Sequence, residues 1–153
     1  MIKIEKILFP TDFSEFSAHA LKYAVTFARE YEAKIIVLHV VENYYTYPGF
    51  AETAFPMVEL YSDMEKHAED EMASLVKKDI PQGIQVETVI KRGTPFREIV
   101  ETAKEKEANL IIIATHGRTG LEHAFFGSTA EKVVRKAPCP VLTVRGPEAG
   151  RFF

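Results

Sequence analysis

The residues best equipped for chemistry lie between Thr115 and Thr129, where the chain reads Thr-His-Gly-Arg-Thr-Gly-Leu-Glu-His-Ala-Phe-Phe-Gly-Ser-Thr. Three of the eight glycines, Gly117, Gly120 and Gly127, fall within this stretch. Glycine lets the backbone approach a ligand closely, and the first N–H groups of a helix are free donors at the positive end of its dipole. Gly127, Ser128 and Thr129, just ahead of a helical pattern, therefore suit a phosphate, with Gly117, Arg118 and Thr119 able to add contacts. Ser128-Thr129-Ala130-Glu131 equally spells a capping box, in which the Ser128 hydroxyl serves its own helix. Neither standard phosphate loop is present: there is no G-x-x-x-x-G-K-[ST], and no G-x-G-x-x-G follows the first strand.

Asp12 is the second chemically equipped position. Its carboxylate could cap the first helix, or it could accept hydrogen bonds from ribose hydroxyls or a base amino group; Ser14 could take over the capping. His116 and His123 flank the glycine stretch but lack the carboxylate or thiol cluster of a metal site. His116 could meet a phosphate or be a loop histidine without a role. His39 reads as a hydrogen-bonded core residue, and His19 and His67 as helix-surface residues. Cys139 has no second thiol with which to cycle and reads as a small core filler. No G-x-S-x-G elbow or H-E-x-x-H helix occurs, and the nearby groups that could activate water, Asp12 and His116, are equally explicable as ligand contacts.

These residues need elements to hold them, and the hydrophobic pattern supplies five strands alternating with four helices, which argues for an α/β domain with a parallel sheet. The first strand spans Ile4 to Phe9 and ends at Pro10, whose missing N–H stops ladder pairing. Helix one begins near Ser14 and buries Leu21, Ala24, Val25, Ala28 and Tyr31. Strand two is Ile35 to Val41. Helix two, from Met57 to Lys78, turns Leu60, Tyr61, Met64, Ala68, Met72, Leu75 and Val76 inward. A short third strand holds Val86, Thr88 and Val89 near the sheet edge, and Thr94 and Pro95 announce helix three, with Phe96, Ile99, Val100 and Ala103 inside. The Glu101, Lys104, Glu105 and Lys106 run reads as its solvated face. Strand four, Leu110 to Ala114, is the most apolar run and the candidate for the sheet centre. Helix four starts near Ser128 with Ala130, Val133, Val134 and Ala137 inward, and strand five is Val141 to Val144. The aromatic segment between Glu42 and Pro56 reads as a flap or contact surface. Ligands of such sheets bind beyond the carboxyl ends of the strands, where both Asp12 and the glycine stretch fall.

Composition narrows the class. The chain has 153 residues, 46% apolar and 27% charged, with one Cys, enough for a single domain that needs no disulfide. The net charge of −3 lacks the basic field of a general nucleic-acid binder. No apolar run approaches the roughly 18 residues of a membrane span, and Met1-Ile2-Lys3-Ile4-Glu5-Lys6 is unlike a secretory signal, so the cytoplasm is the expected location.

Over nearly all its length the chain resembles the universal stress protein family. The resemblance rests on Ile7-Leu8-Phe9-Pro10-Thr11-Asp12-Phe13-Ser14, Ala20-Leu21, Leu38-His39-Val40, Gly93-Thr94-Pro95, the glycine stretch, and Ala137-Pro138-Cys139-Pro140-Val141-Leu142. The ATP-binding branch carries G-x2-G-x9-G-[S/T], whose second and third glycines and hydroxyl fall on Gly117, Gly127 and Ser128; Ala114 stands at the first glycine. A methyl there bears on the ribose or α-phosphate. The resemblance implies a single Rossmann-like domain over 1–146, akin to the adenine nucleotide alpha hydrolases, with helices on both faces of a five-stranded parallel sheet and a tail over 147–153. It implies an ATP site, with AMP or ADP as alternatives, formed by Pro10, Thr11, Asp12, Val40, Ala114, Thr115, His116, Gly117, Gly127, Ser128 and Thr129. Adenine and ribose would lie near Thr11, Asp12 and the Val40 backbone, and the phosphates, with Mg2+, near Gly117, Gly127, Ser128 and Thr129. Gly120 falls outside the motif. A homodimer through Val141, Leu142, Thr143 and Val144 is also implied. The expected function is a nucleotide-dependent regulator in stress response; a nucleotide-independent scaffold and a slow ATP hydrolase are the alternatives, which leaves enzyme status open.

Overall fold

The computed structural model describes residues 1–43, 57–117 and 126–147. The aromatic segment over 44–56, the tail over 148–153, and Arg118, Thr119, Gly120 and His123 lie outside the described residues. The elements are β1 (Lys6–Pro10), α1 (Glu15–Tyr31), β2 (Lys34–Glu42), α2 (Met57–Asp79), β3 (Val86–Gly93), α3 (Pro95–Glu105), β4 (Leu110–Ala114), α4 (Ser128–Lys136) and β5 (Val141–Val144). All five strands pair in parallel in the order β3-β2-β1-β4-β5. The chain thus steps outward from β1 to β3, then crosses back to β4 and β5, giving a five-stranded α/β fold of the doubly wound kind.

Strand periodicity divides the interior into two layers. Ile7, Phe9, Ile35, Val37 and Ile112 face α1 and α2, where Ala20, Leu21, Ala24, Ala28 and Met72 cover them. Leu8, Ile36, Leu38, Ile111 and Ile113 face α3 and α4 and meet Ile99, Ala103, Ala130 and Val133. Each fully buried aliphatic side chain contributes about 1.5–3 kcal/mol, so both faces of the central strands hold the sheet. The alanines of α1 let that helix lie close to β1 and β4.

Several expectations are corrected. β1, not β4, is the central strand. β3 is an edge strand as expected but runs eight residues, its polar Lys91 and Arg92 belonging to the ladder opposite Val40 and Val41. Tyr31, Leu60 and Val134, expected inside, are exposed. Glu105 and Lys106 do not simply face solvent: Lys91 pairs with Glu105 at 2.7 Å, and Lys106 pairs with Glu87, tying α3 to the edge strand.

Pro10 does more than end a strand. The Thr11 amide still donates to the Leu38 carbonyl at 2.8 Å, so pairing with β2 continues past the proline. Successive N–H groups of a strand point to opposite neighbours, so the N–H that Pro10 lacks is the one that would have faced β4. Pairing of β1 with β4 stops at Leu8↔Ile111, whereas pairing with β2 reaches Pro10↔Leu38. The two strands leave successive connections in opposite directions here, and a crevice opens between them.

Candidate functional site

The crevice is a cavity of about 460 Å³ at the carboxyl ends of the strands, within the size range of small-molecule sites. Pro10, Thr11, Asp12, Val40, Ala114, Thr115, His116, Gly117, Gly127, Ser128 and Thr129 all line it. Residues more than a hundred positions apart thus meet around one cavity.

The β1–α1 turn is tightly held. Thr11 is buried; its Oγ1 accepts from the Phe13 amide at 3.0 Å and lies 3.0 Å from Ser17 Oγ. Phe13 takes a left-handed backbone, φ 61°, which swings the chain into α1. The Ser14 hydroxyl accepts from the Ser17 amide at 3.2 Å and is the helix cap. Asp12 is therefore not the cap: its Oδ1 accepts from the Ser14 amide at 3.0 Å, closing a turn ahead of the helix. Its other oxygen faces Gly117, where an added Cβ would run into it. His39 Nδ1 lies 2.8 Å from the Thr11 carbonyl oxygen. That oxygen only accepts, so Nδ1 carries the proton. The expected hydrogen bond of His39 is present, but the residue also lines the cavity, with its ring 4.5 Å from that of Phe13.

On the opposite wall, Thr115 is buried and donates its amide to the Val144 carbonyl at 3.0 Å. Its carbonyl accepts from the Gly127 amide at 2.6 Å, and a Cβ on Gly127 would lie 2.9 Å from that oxygen. Glycine is required here by close approach, since φ −65° and ψ 153° are open to any residue. Gly127 is itself the N-cap of α4, and no side chain caps the helix. The capping-box alternative for Ser128 fails by one residue, because Ser128 is already the first helical position. The first N–H groups of α4 are left without helical acceptors at the cavity wall. Thr94 likewise stands at the N-cap of α3 without a side-chain cap bond, ahead of Pro95. The His116 Nδ1 lies 3.0 Å from Thr115 Oγ1.

The Ala114 methyl packs with the core layer beneath α1. Sequence reasoning missed the wall formed by Met64, His67 and Ala68 of α2, together with Pro95 and Ile99 of α3. Met64 and Ala68 were legible only as a core-facing stripe. Among the described residues no Lys or Arg lines the cavity, and no group of three His, Cys, Asp or Glu could hold a metal ion. No helix among them is long and apolar enough to cross a membrane.

A doubly wound α/β domain has its crevice at the switch point, and here a close glycine contact and an uncapped helix start border that crevice. The comparison with known families goes further. The model of the universal stress protein family matches residues 3–145, and the chain belongs to that family. It is 39% identical over 145 residues to universal stress protein MJ0531 of Methanocaldococcus jannaschii, covering 94% of this chain and 84% of that one. It is 30% identical to MJ0577 of the same organism over 156 residues, covering 94% and 96%. The solved structure of MJ0577 superposes with a TM-score of 0.86, covering 97% of this chain and all of the other. UspA from Lactobacillus plantarum gives 0.79 at 29% identity, covering 94% and 99%. Two more distant solved members, 21% and 23% identical, share the fold and are complexes with cAMP and with dAMP.

Proposed function

We propose that this universal stress protein binds an adenine nucleotide, ATP foremost, and acts in the cytoplasm as a nucleotide-dependent regulator in stress response. The observation that carries the reading is the uncapped first turn of α4, drawn onto Thr115 through Gly127 and opening into the switch-point cavity. Donors so fixed meet an anion without reorganising. Adenine and ribose lie on the side of Thr11, Asp12 and Val40; the phosphates lie at Gly117, Gly127, Ser128 and Thr129. Distant members of the fold that hold cAMP and dAMP support an adenine nucleotide as the ligand class. The described cavity side chains offer no metal cluster, and in this reading Mg2+ enters with the phosphates. The domain extends over 1–146. The homodimer forms through β5, whose Val141, Leu142 and Thr143 are only half-buried at a sheet edge.

Calorimetric titration with Mg-ATP and with AMP tests the reading. Saturable heat is expected for the wild type, and Asp12→Ala should weaken binding at least about tenfold through loss of hydrogen bonds to the ligand. Absence of binding by the wild type would overturn the proposal. Sustained heat from turnover would instead favour the slow-hydrolase alternative.

A further inference from the structure

We infer that Met64, His67 and Ala68 of α2 form the wall against which the base of the nucleotide lies, and that Met64 and His67 thereby set a preference for a purine over a pyrimidine. The inference rests on the nucleotide reading and deepens it by assigning the base a surface of its own. Residues 63–71 read Asp-Met-Glu-Lys-His-Ala-Glu-Asp-Glu, so six of these nine are Asp, Glu or Lys. The other three, Met64, His67 and Ala68, are the ones of this stretch that line the cavity. A helix that merely faced a core would bury all three. Ala68 is buried, but Met64 is half-buried and the His67 side chain is 75% exposed. Apolar and aromatic surface thus remains open in the cavity wall after the fold is packed, and the flat base is the part of a nucleotide that gains by covering it.

The wall also stands on the correct side of the cavity. Met64, Phe13 and Ile90 pack around the buried trio Val41, Tyr61 and Ala68. Phe13 follows Asp12 and Val41 follows Val40, so this cluster joins α2 to the two segments on the adenine side of the reading. His67 lies three residues beyond Met64 and shares its helix face. Two residues that flank Met64 pin the helix to β3. Tyr61 is buried, with the Arg92 guanidinium carbon 4.3 Å from its ring centroid, and the Arg92 Nε donates to Glu65 Oε1 at 3.0 Å. A wall held in this way needs little ordering when a ligand arrives. The Met64 thioether adapts to the surface of a ring and attracts it, and the His67 imidazole can stack on one. Two fused rings cover more of such a wall than a single ring, which gives a purine the larger gain from burial.

The test titrates ATP, AMP and UTP calorimetrically into the wild type, Met64→Ala, Met64→Leu, His67→Ala and Glu71→Gln. The last keeps the wall but removes the carboxylate that lies 3.7 Å from His67 Nε2. Unfolding midpoints establish that each variant is folded; if Met64→Ala is not, the comparison of ATP with UTP in the exposed His67→Ala variant decides. Met64→Ala should weaken ATP and AMP by the same factor, about five- to tenfold, because the base is common to both. UTP should lose less, so that the preference for ATP narrows. His67→Ala should act in the same direction by about threefold. Met64→Leu, of similar volume, should recover most of the loss, and Glu71→Gln should bind ATP within about twofold of the wild type. A loss that grows with the number of phosphates, an equal loss for ATP and UTP, no loss from either alanine variant, or a loss from Glu71→Gln as large as that from His67→Ala would overturn the wall while leaving the nucleotide site standing. A wild type that binds neither ATP nor AMP would overturn both.

Discussion

Replacing Gly127 with alanine puts the sharpest load on the proposed phosphate wall. The new Cβ would stand 2.9 Å from the Thr115 carbonyl oxygen, nearer than a carbon and a carbonyl oxygen tolerate. Thr115 cannot give way: it is buried, its amide is on Val144 and its carbonyl is on the Gly127 amide. Residue 127 must therefore withdraw by several tenths of an ångström, carrying the Ser128 and Thr129 amides with it. The overpacking should cost about 1–3 kcal/mol of stability. Misaligned donors should weaken nucleotide about tenfold or more. Urea unfolding and calorimetric titration read the two effects separately. Gly117→Ala is the informative contrast, because its Cβ meets the tip of the Asp12 side chain, which can turn aside. It should leave stability nearly intact yet displace the carboxylate from the base side. A Gly127→Ala protein as stable as the wild type would refute the packing argument, and a destabilised one that binds nucleotide normally would refute the placement of the phosphates.

Two predictions concern the frame that carries the site. Glu87 accepts from Lys106 and from Lys34, the latter at 2.6 Å, and these bonds, with Lys106 the larger cause, bring its pKa down to about 2. A depressed carboxyl stabilises the fold above its unfolded pKa and loses that contribution as pH falls through the folded one. With both lysines about one-third exposed, solvent screening reduces the contribution to about 1 kcal/mol. The stability gap between wild type and Glu87→Gln should be present at pH 7 and vanish between pH 4.5 and about 2, as followed by urea unfolding. Asn109 Oδ1 accepts from the amides of Glu5 and Lys6 at 2.9 and 2.8 Å, clasping the start of the central strand to β4. Asn109→Ala should cost about 1–3 kcal/mol, and an unchanged unfolding midpoint would remove the clasp from the account.

How much of this was legible in the sequence depended on whether local pattern and tertiary position agreed. β4 and β5 appear over the residues their apolar runs indicated, and α2 and α4 begin where their periodicity did. The strand order was not legible from hydrophobicity: Ile7-Leu8-Phe9 is shorter than the run in β4, yet β1 occupies the centre, because topology sets a strand's place. Lys91 and Arg92 masked the far half of β3, since an edge strand can expose side chains that a central strand cannot. The cavity wall was legible where glycine and hydroxyl spacing marked it. The α2 wall was not, because Met64 and Ala68 repeat at the spacing of any helix that faces a core. Ser128 shows the limit of cap reading: one residue of displacement turns a self-capped helix into one with open donors.

Ala114 shows how fold and site can lie on the two sides of one residue. The strand's alternation sends its methyl toward α1, into the layer that contains Ile112, Phe9 and Val144. A glycine would leave that layer short of a methyl and loosen the strand, at a cost of roughly 0.5–1 kcal/mol. The alanine is thus accounted for by packing, in a strand whose next residue, Thr115, fixes Gly127. The departure from the motif leaves that Thr115–Gly127 hydrogen bond intact. Ala114→Gly therefore loads the core rather than the phosphate wall, and the nucleotide reading depends on the Thr115–Gly127 contact more than on the first glycine of the motif.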